Sequence, residues 1–407
     1  MEALHATLVL SAKLAAGRRL VLDRFNRYLG FSKGASVESG AVLDSVDVNR
    51  SAAMEEREPD RSESHLGPST QYPLNCWWVV ARTDEISSAP LTRTVLQRRV
   101  ALFRVSDGTA HAFMDRCPHR WAPISRGKVI KDEIFCAYHG FGYNTKGECT
   151  VVPSQKRAPA ALRIRTYPLV ERGPFVWLWM GNPEKADPGL LPTISLQDDS
   201  SERVRVTGYR ITNCGYSLIH ENLADTEHVF YLHGDSLAGS LRRDFRSRAH
   251  GVMDIEPSKI TFASASRNMP ATTVDRVLFE VEDNQGFDSS VTSVFTAPGC
   301  FSSEQKTTRR VPREGFPDTV KVRYLWCSTP ISADSCHFWW DLTFFGAACG
   351  QKPIEDIWSR AIEEDIDIVE GIQCSINSSF EYGSTTDALV TADRAVAAVR
   401  KLLKKMT

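Results

Sequence analysis

The chain has 407 residues, 42% hydrophobic and 24% charged, with 49 Lys and Arg against 50 Asp and Glu: a globular composition, long enough for about two or three domains. A formal net charge of -1 removes the chain-wide electrostatic case for nucleic acid or an anionic membrane as main partner. No apolar run reaches the ~18 residues of a membrane-spanning helix: Lys13, Arg18 and Arg19 break the first candidate and Asp341 breaks Phe338 to Phe345. Ten cysteines without a secretory signal point to a reducing, cytoplasmic compartment.

In chain order, residues 1–34 carry leucines at helical spacing among basic side chains, an amphipathic pattern that suits a presequence or an accessory helix. Residues 35–71 are rich in Ser, Glu, Asp and Arg and too poor in apolar surface to offset chain entropy, so they read as a linker, with Met54 an alternative start. Order is expected from Tyr72. The β-formers Trp77 to Ala81 are followed by a hairpin, Val100 to Val105 and Ala110 to Met114, turning at Asp107-Gly108. Ile134 to Tyr138 and Phe141 to Tyr143 extend the β pattern, giving a compact β domain over residues 72–178. Residues 179–407 alternate helical and extended patterns, so the fold class is α+β.

Within the β domain, Cys117-Pro118-His119 is followed, after 16 intervening residues, by Cys136-Ala137-Tyr138-His139. Each short pair mixes one Cys with one His, and two such loops can enclose an inorganic core, thiolates on one iron of a [2Fe-2S] cluster and imidazoles on the other. Tetrahedral zinc is the competing reading, although zinc fingers usually keep the cysteines in one pair and the histidines in the other. With Arg120, Ala122, Pro123, Ile124, Ser125, Gly127 and Gly140 at their places, the segment resembles the Rieske domain of Rieske non-haem iron oxygenases. Respiratory Rieske proteins carry a further cysteine after each ligand pair, and that feature is missing here.

A second constellation follows. Glu221, Asp225 and His228 share one face if the segment is a helix. His233 lies five residues on, diverging from His228 by ~140° in a regular helix. The two can converge only where the helix bends or loosens near Gly234, the expected terminator. A facial site of two histidines and one acid, with positions left open, is the arrangement of oxygen-activating iron(II). The acid is sought on a helix starting near Pro353, whose stripe Ile354, Ile357, Trp358, Ala361, Ile362, Ile368, Val369 and Ile372 marks a buried face. Asp365 falls within that stripe, with Glu364 on its flank, and a buried carboxylate needs a partner. A cation would serve, and so would an arginine such as Arg360.

Glu221-Asn222-Leu223-x-Asp225-x-x-His228-x4-His233, with Glu364-Asp365-x-x-Ile368-Val369-Glu370-x-x-Gln373 far downstream, resembles the mononuclear-iron signature of Rieske oxygenase α-subunits, especially the vanillate O-demethylase-like branch. The resemblance implies a Rieske domain over 72–178 and a helix-grip-like catalytic domain with an antiparallel sheet over 179–407. It implies mononuclear iron on His228, His233 and Asp365. Asp225 becomes a bridge carrying electrons from His139 of a neighbouring copy in a head-to-tail homotrimer. O2 and an aromatic or polycyclic organic substrate are the implied reactants, and monohydroxylation or oxidative demethylation the implied reaction. With no G-x-G-x-x-G fingerprint, NAD(P)H must be oxidised by a separate flavin and iron-sulfur reductase, and that reductase or a ferredoxin is the expected electron-donating partner. The competing reading is a Rieske electron carrier without oxygenase activity. His5, His65 and His111 lack partners in any metal-binding spacing. His220 is expected to pack, and His250 and His337 fall among strands of the expected substrate-binding sheet. The aromatic run Phe338 to Phe345, with Trp326 and Phe295, suits a pocket wall or the core.

Overall fold

The structure, a computed structural model, describes residues 72–192, 203–239, 252–281, 285–379, 388–390 and 393–406. The helix and linker expected over residues 1–71, including His5, Met54 and His65, lie outside the described residues, as does His250.

The short β runs fold as three small antiparallel sheets. β1 (Trp77–Arg82) pairs late in the chain, while β2 (Leu91–Val95), β3 (Arg98–Arg104) and β4 (Ala110–Met114) form a meander. The expected hairpin is β3 and β4, turning through Gly108 with φ 87. β5 (Lys128–Ile130), β6 (Glu133–Phe135), β7 (Gly142–Tyr143) and β8 (Cys149–Val151) make a separate sheet, in which the Cys136 loop joins β6 to β7, while the Cys117 loop follows β4. β9 (Thr166–Tyr167) joins β4, and β10 (Leu169–Arg172) and β11 (Phe175–Trp179) close on β1.

The second half is one seven-stranded antiparallel sheet, β12 (Arg203–Thr212), β13 (Val252–Ile255), β14 (Lys259–Pro270), β15 (Gly286–Thr296), β16 (Cys300–Arg309), β17 (Thr319–Ser332) and β18 (Ser335–Phe345). Its spatial order is β12-β18-β17-β16-β15-β14-β13. β18 is covered on both faces, which is why its sequence is almost continuously aromatic rather than alternating. Phe338, Leu342 and Phe344 share one core with Ile219, Ile354, Ile362 and Val369 of the helices, whereas Trp339 packs with Trp77, Val79, Trp177 and Trp179 of the first half. The helices are α1 (Tyr216–Ala224), α2 (Thr273–Phe279), α3 (Gln351–Ser379) and α4 (Arg394–Met406). The α+β expectation thus holds, with a long helix laid on an antiparallel sheet.

The face of α3 differs from the expected stripe in two places. Ile368 and Ile372 are 44% and 43% exposed, and Ile366, left out of that stripe, is buried with Ile354, Ala361, Ile362 and Val369. Positions 354, 358, 361, 362, 365, 366 and 369 follow the helical repeat more closely, so Asp365 sits between Ile362 and Ile366.

His337 lies on a strand of the sheet, as expected, and is buried. It is 3% exposed, with Nδ1 2.8 Å from the Tyr209 hydroxyl and Nε2 2.9 Å from the Thr94 carbonyl, and it fastens the sheet to the first half. Leu96 N and Gln97 N donate to Pro330 O and Ile331 O at the same junction. His220 is wholly buried, its Nε2 2.7 Å from Ser328 Oγ. Burial lowers His337 from 6.5 to about 4 and His220 to about 3. Each is neutral when folded, so between pH 6.5 and pH 4 protons bind the unfolded chain preferentially. Stability is complete above pH 6.5 and is lost as pH falls towards 4. At about 1.4 kcal/mol per unit per group, urea midpoints should drop from pH 7 to pH 5 with an unchanged m-value. The slope should be shallower in His337→Gln; an equal slope would remove His337 from this linkage.

Candidate metal centres

The two Cys and His loops are closed in the same way. Cys117 N donates to Ala122 O and Trp121 N to Cys117 O at 2.8 Å each; Cys136 N donates to Phe141 O at 2.8 Å and Gly140 N to Cys136 O at 3.0 Å. The fourth residue after each cysteine must therefore adopt a left-handed conformation, which Gly140 (φ 69) does freely. Trp121 (φ 59) does so at a cost, with the Arg116 guanidinium 4.5 Å over its ring. At Gly127 a Cβ would meet Phe135 O at 1.9 Å, so the approach to β6 excludes any side chain there.

Both thiols are buried, Cys117 at 2% and Cys136 at 3% exposure, while His119 and His139 are exposed. Burial pushes the Cys117 thiol up, and the Tyr143 hydroxyl 3.2 Å from its sulfur acts the other way. The imidazoles stand 4.6 Å apart between centroids, His119 stacked on Phe141 at 4.5 Å and His139 tilted against Tyr138 at 3.8 Å. Sulfur inside and nitrogen outside, on two facing loops, fits a two-iron core with unlike ends. Among the described residues, the group whose ligating atoms lie within 4.8 Å of one another is a different one, His228, His233 and Asp365.

The second centre forms where regular helix stops. α1 ends at Ala224, because Asp225 is extended (φ -78, ψ 111), so Glu221, Asp225 and His228 do not share a helix face. His228 opens a 3-10 turn, His228–Phe230, and His233 precedes a π-helical turn, Gly234–Ala238, in which His233 O accepts from Leu237 N and Ala238 N. The expected loosening is present but starts at Asp225, and Gly234 begins a turn rather than terminating one. The imidazoles thereby come to 5.2 Å between centroids, inclined at 73°.

Both Nε2 atoms face one carboxylate oxygen. Asp365 Oδ1 lies 3.4 Å from His228 Nε2 and 3.1 Å from His233 Nε2, and it accepts from Asn222 Nδ2 at 3.0 Å. Burial would raise the Asp365 carboxyl, but the two imidazoles outweigh it and hold it down to about 2. Burial likewise opposes charging His233, and the carboxylates of Asp365 and Glu364 prevail and raise it. His233 Nδ1 is 2.8 Å from Glu364 Oε2, so the opposite ring edge, Nε2, is the one turned towards Asp365. Glu364 is in turn held by Ser236 Oγ at 2.5 Å and Arg360 Nε at 3.0 Å. Arg360 thus serves Glu364, not Asp365. His228 Nδ1 is buried without a hydrogen-bond partner, 3.8 Å from the half-buried Asp225 carboxylate. Two imidazole nitrogens and one carboxylate oxygen converging on one point fit a divalent transition metal, which takes the place of the protons shared between them.

Spacing alone does not mark Asn222, Ser236 or Glu364 as functional, although Asn222 and Glu364 stand within the motifs quoted above. The other polar residues of the late motif act as scaffolding. Glu370 Oε1 accepts from Asn213 N and Gln373 Oε1 from Gly215 N, both at 2.8 Å, fixing the start of α1 against α3.

Residues 76–168 match the Rieske [2Fe-2S] domain, and residues 212–407 match the vanillate O-demethylase oxygenase C-terminal domain. The chain is 31% identical to the chloroacetanilide N-alkylformylase oxygenase component of Rhizorhabdus wittichii, covering 81% of this chain and 94% of that protein. It is 41% identical over 160 residues to the dicamba O-demethylase oxygenase component of Stenotrophomonas maltophilia, covering 39% of this chain and 47% of that protein. A crystal structure of dicamba monooxygenase with non-haem iron and dicamba superposes with a TM-score of 0.67 at 26% identity, over 83% of this chain and 98% of that one.

Proposed function

Because the chain belongs to the family of Rieske-type oxygenase components, we propose that Cys117, Cys136, His119 and His139 hold its [2Fe-2S] cluster and that His228, His233 and Asp365 hold its mononuclear iron. The observation that carries this reading is the convergence of two imidazole nitrogens on Asp365 Oδ1 in a chain that also bears the loops of the first centre. When bound, the cluster stores single electrons and the mononuclear iron, with open positions, activates dioxygen beside the substrate.

The protein's own part is positioning and proton and electron traffic. His119 and His139 offer exposed ring edges, so electrons pass through imidazole rather than through the buried thiol end. Asp225 keeps a 34% exposed carboxylate beside His228, suited to meet His139 of a neighbouring copy. A head-to-tail homotrimer provides that contact on every protomer. The donor is a separate flavin and iron-sulfur reductase or a ferredoxin. Ten free thiols suit a cytoplasmic setting, and no helix among the described residues is long and apolar enough to cross a membrane.

The substrate class we favour is an aromatic ether or N-alkyl amide, in keeping with the dicamba and chloroacetanilide in the relatives' names. For a methyl ether, dioxygen, two electrons and two protons give the phenol, formaldehyde and water. Trp326 and Phe338 on the sheet face covered by helices, with Trp358 of α3 set against Trp326, make an aromatic setting that suits such a body. The test is a screen of aromatic methyl ethers with reduced, reconstituted protein, scored by phenol and formaldehyde rather than NADH loss. Asp225→Asn should keep both metals and slow transfer between them at least about tenfold; an unchanged single-turnover rate would refute the relay, and a protein that is monomeric in sedimentation would refute the trimer.

A further inference from the structure

The two histidines of the second centre are held unequally. His233 is 2% exposed, and its Nδ1 is 2.8 Å from Glu364 Oε2. Glu364 is fixed from two further directions, by Ser236 of the π-helical turn and by Arg360 one turn earlier on α3. His228, 18% exposed, has no hydrogen bond to Nδ1, and Asp225 stands off at 3.8 Å. Adjacent acids on one helix point about 100° apart, so Glu364 reaches the far edge of the imidazole whose near edge faces Asp365.

From this asymmetry we infer that Glu364 is the positioning residue for the mononuclear metal: through His233 it sets the tautomer and ring angle that retain the ion, whereas Asp225 has no share in retention. The inference rests on His228, His233 and Asp365 being the ligands. A carboxylate behind a ligating imidazole raises its basicity and fixes its orientation, and losing such a group typically costs about 10–100-fold in metal affinity. The Ser236 contact also ties the π-helical turn to α3, so the path of the chain after His233 and the orientation of its ring depend on the same carboxylate.

The experiment uses full-length protein with the cluster intact and the mononuclear metal removed by chelation, titrated with cobalt(II) by calorimetry. Glu364→Ala should raise the cobalt Kd about 10–100-fold, and iron per two labile sulfides should fall in the purified variant. Glu364→Gln keeps an acceptor for the Nδ1 proton without the charge, and should fall between. Asp225→Asn and Glu363→Gln, the latter altering an exposed neighbour paired with Arg210, should bind cobalt within about twofold of wild type, well below the 10–100-fold loss. Wild-type affinity in both Glu364 variants would overturn the inference, as would a loss in Asp225→Asn equal to that in Glu364→Ala. Should Glu364→Ala fail to fold, the glutamine variant, which preserves shape, decides. A wild-type protein that binds no cobalt would strike instead at the ligand assignment, a distinguishable result.

Discussion

Asp365→Ala is expected to leave the visible and EPR signatures of the cluster unchanged while iron falls from about three to about two per two labile sulfides, and product formation drops by more than about 100-fold. The size follows from what the carboxylate does. Asp365 Oδ1 is the anion on which His228, His233 and Asn222 all converge, at 3.4, 3.1 and 3.0 Å. Without it two neutral imidazoles and an amide remain, a set with no charge to offset a dication's lost hydration. Removing a group that only orients a ligand costs about 10–100-fold, so removing a ligand should exceed that range. Asp365→Asn keeps the shape and the Asn222 neighbour but not the charge, and should fail almost as completely. Ile362 and Ile366 flank the position on a buried face, so neither substitution disturbs the register of α3. Product formation above one tenth of wild type in Asp365→Ala would place the chemistry elsewhere.

Some of this arrangement could be read from the chain and some could not, for physical reasons. The Cys117 and Cys136 loops were legible because ligand type and spacing are local: a closed loop with one left-handed residue fixes where its cysteine and histidine point. Asp365 was legible because a helical period puts an acid on an apolar face only at a cost. The same periodicity misjudged Ile368 and Ile372, since a stripe marks which side is apolar but not how far the packed surface extends, and here it stops short of them. The path from Asp225 to Ala238 was beyond a helical reading, because a 3-10 turn followed by a π turn has no hydrophobic repeat of its own. His337 was placed on the sheet correctly, but its partners were not legible, for a related reason. A histidine on a strand shows its face but not what covers that face, and what covers it, Thr94, is 243 positions away in sequence.

Cys117→Ala should give a colourless protein lacking both labile sulfides and two irons, unable to accept electrons from any reductase, yet with a cobalt affinity at the second centre unchanged from wild type. The separation of effects is the informative part. The loop that carries Cys117 is closed by backbone bonds, Cys117 N to Ala122 O and Trp121 N to Cys117 O, and alanine keeps both, so the loss is of a thiolate and not of a fold. Asp365, His228 and His233 stand on α3 and on the turns after α1, away from that loop in sequence and in hydrogen bonding. A graded companion is Tyr143→Phe, which removes the hydroxyl 3.2 Å from the Cys117 sulfur. A donor to that sulfur favours the more negative, reduced cluster. One such bond is worth about 1 kcal/mol, so the midpoint potential should fall by about 40 mV in a one-electron titration, with the cluster retained. A rise in potential would mean that the hydroxyl accepts from another group rather than donating to sulfur, and loss of cobalt affinity in Cys117→Ala would show that the two centres are built on one another rather than side by side.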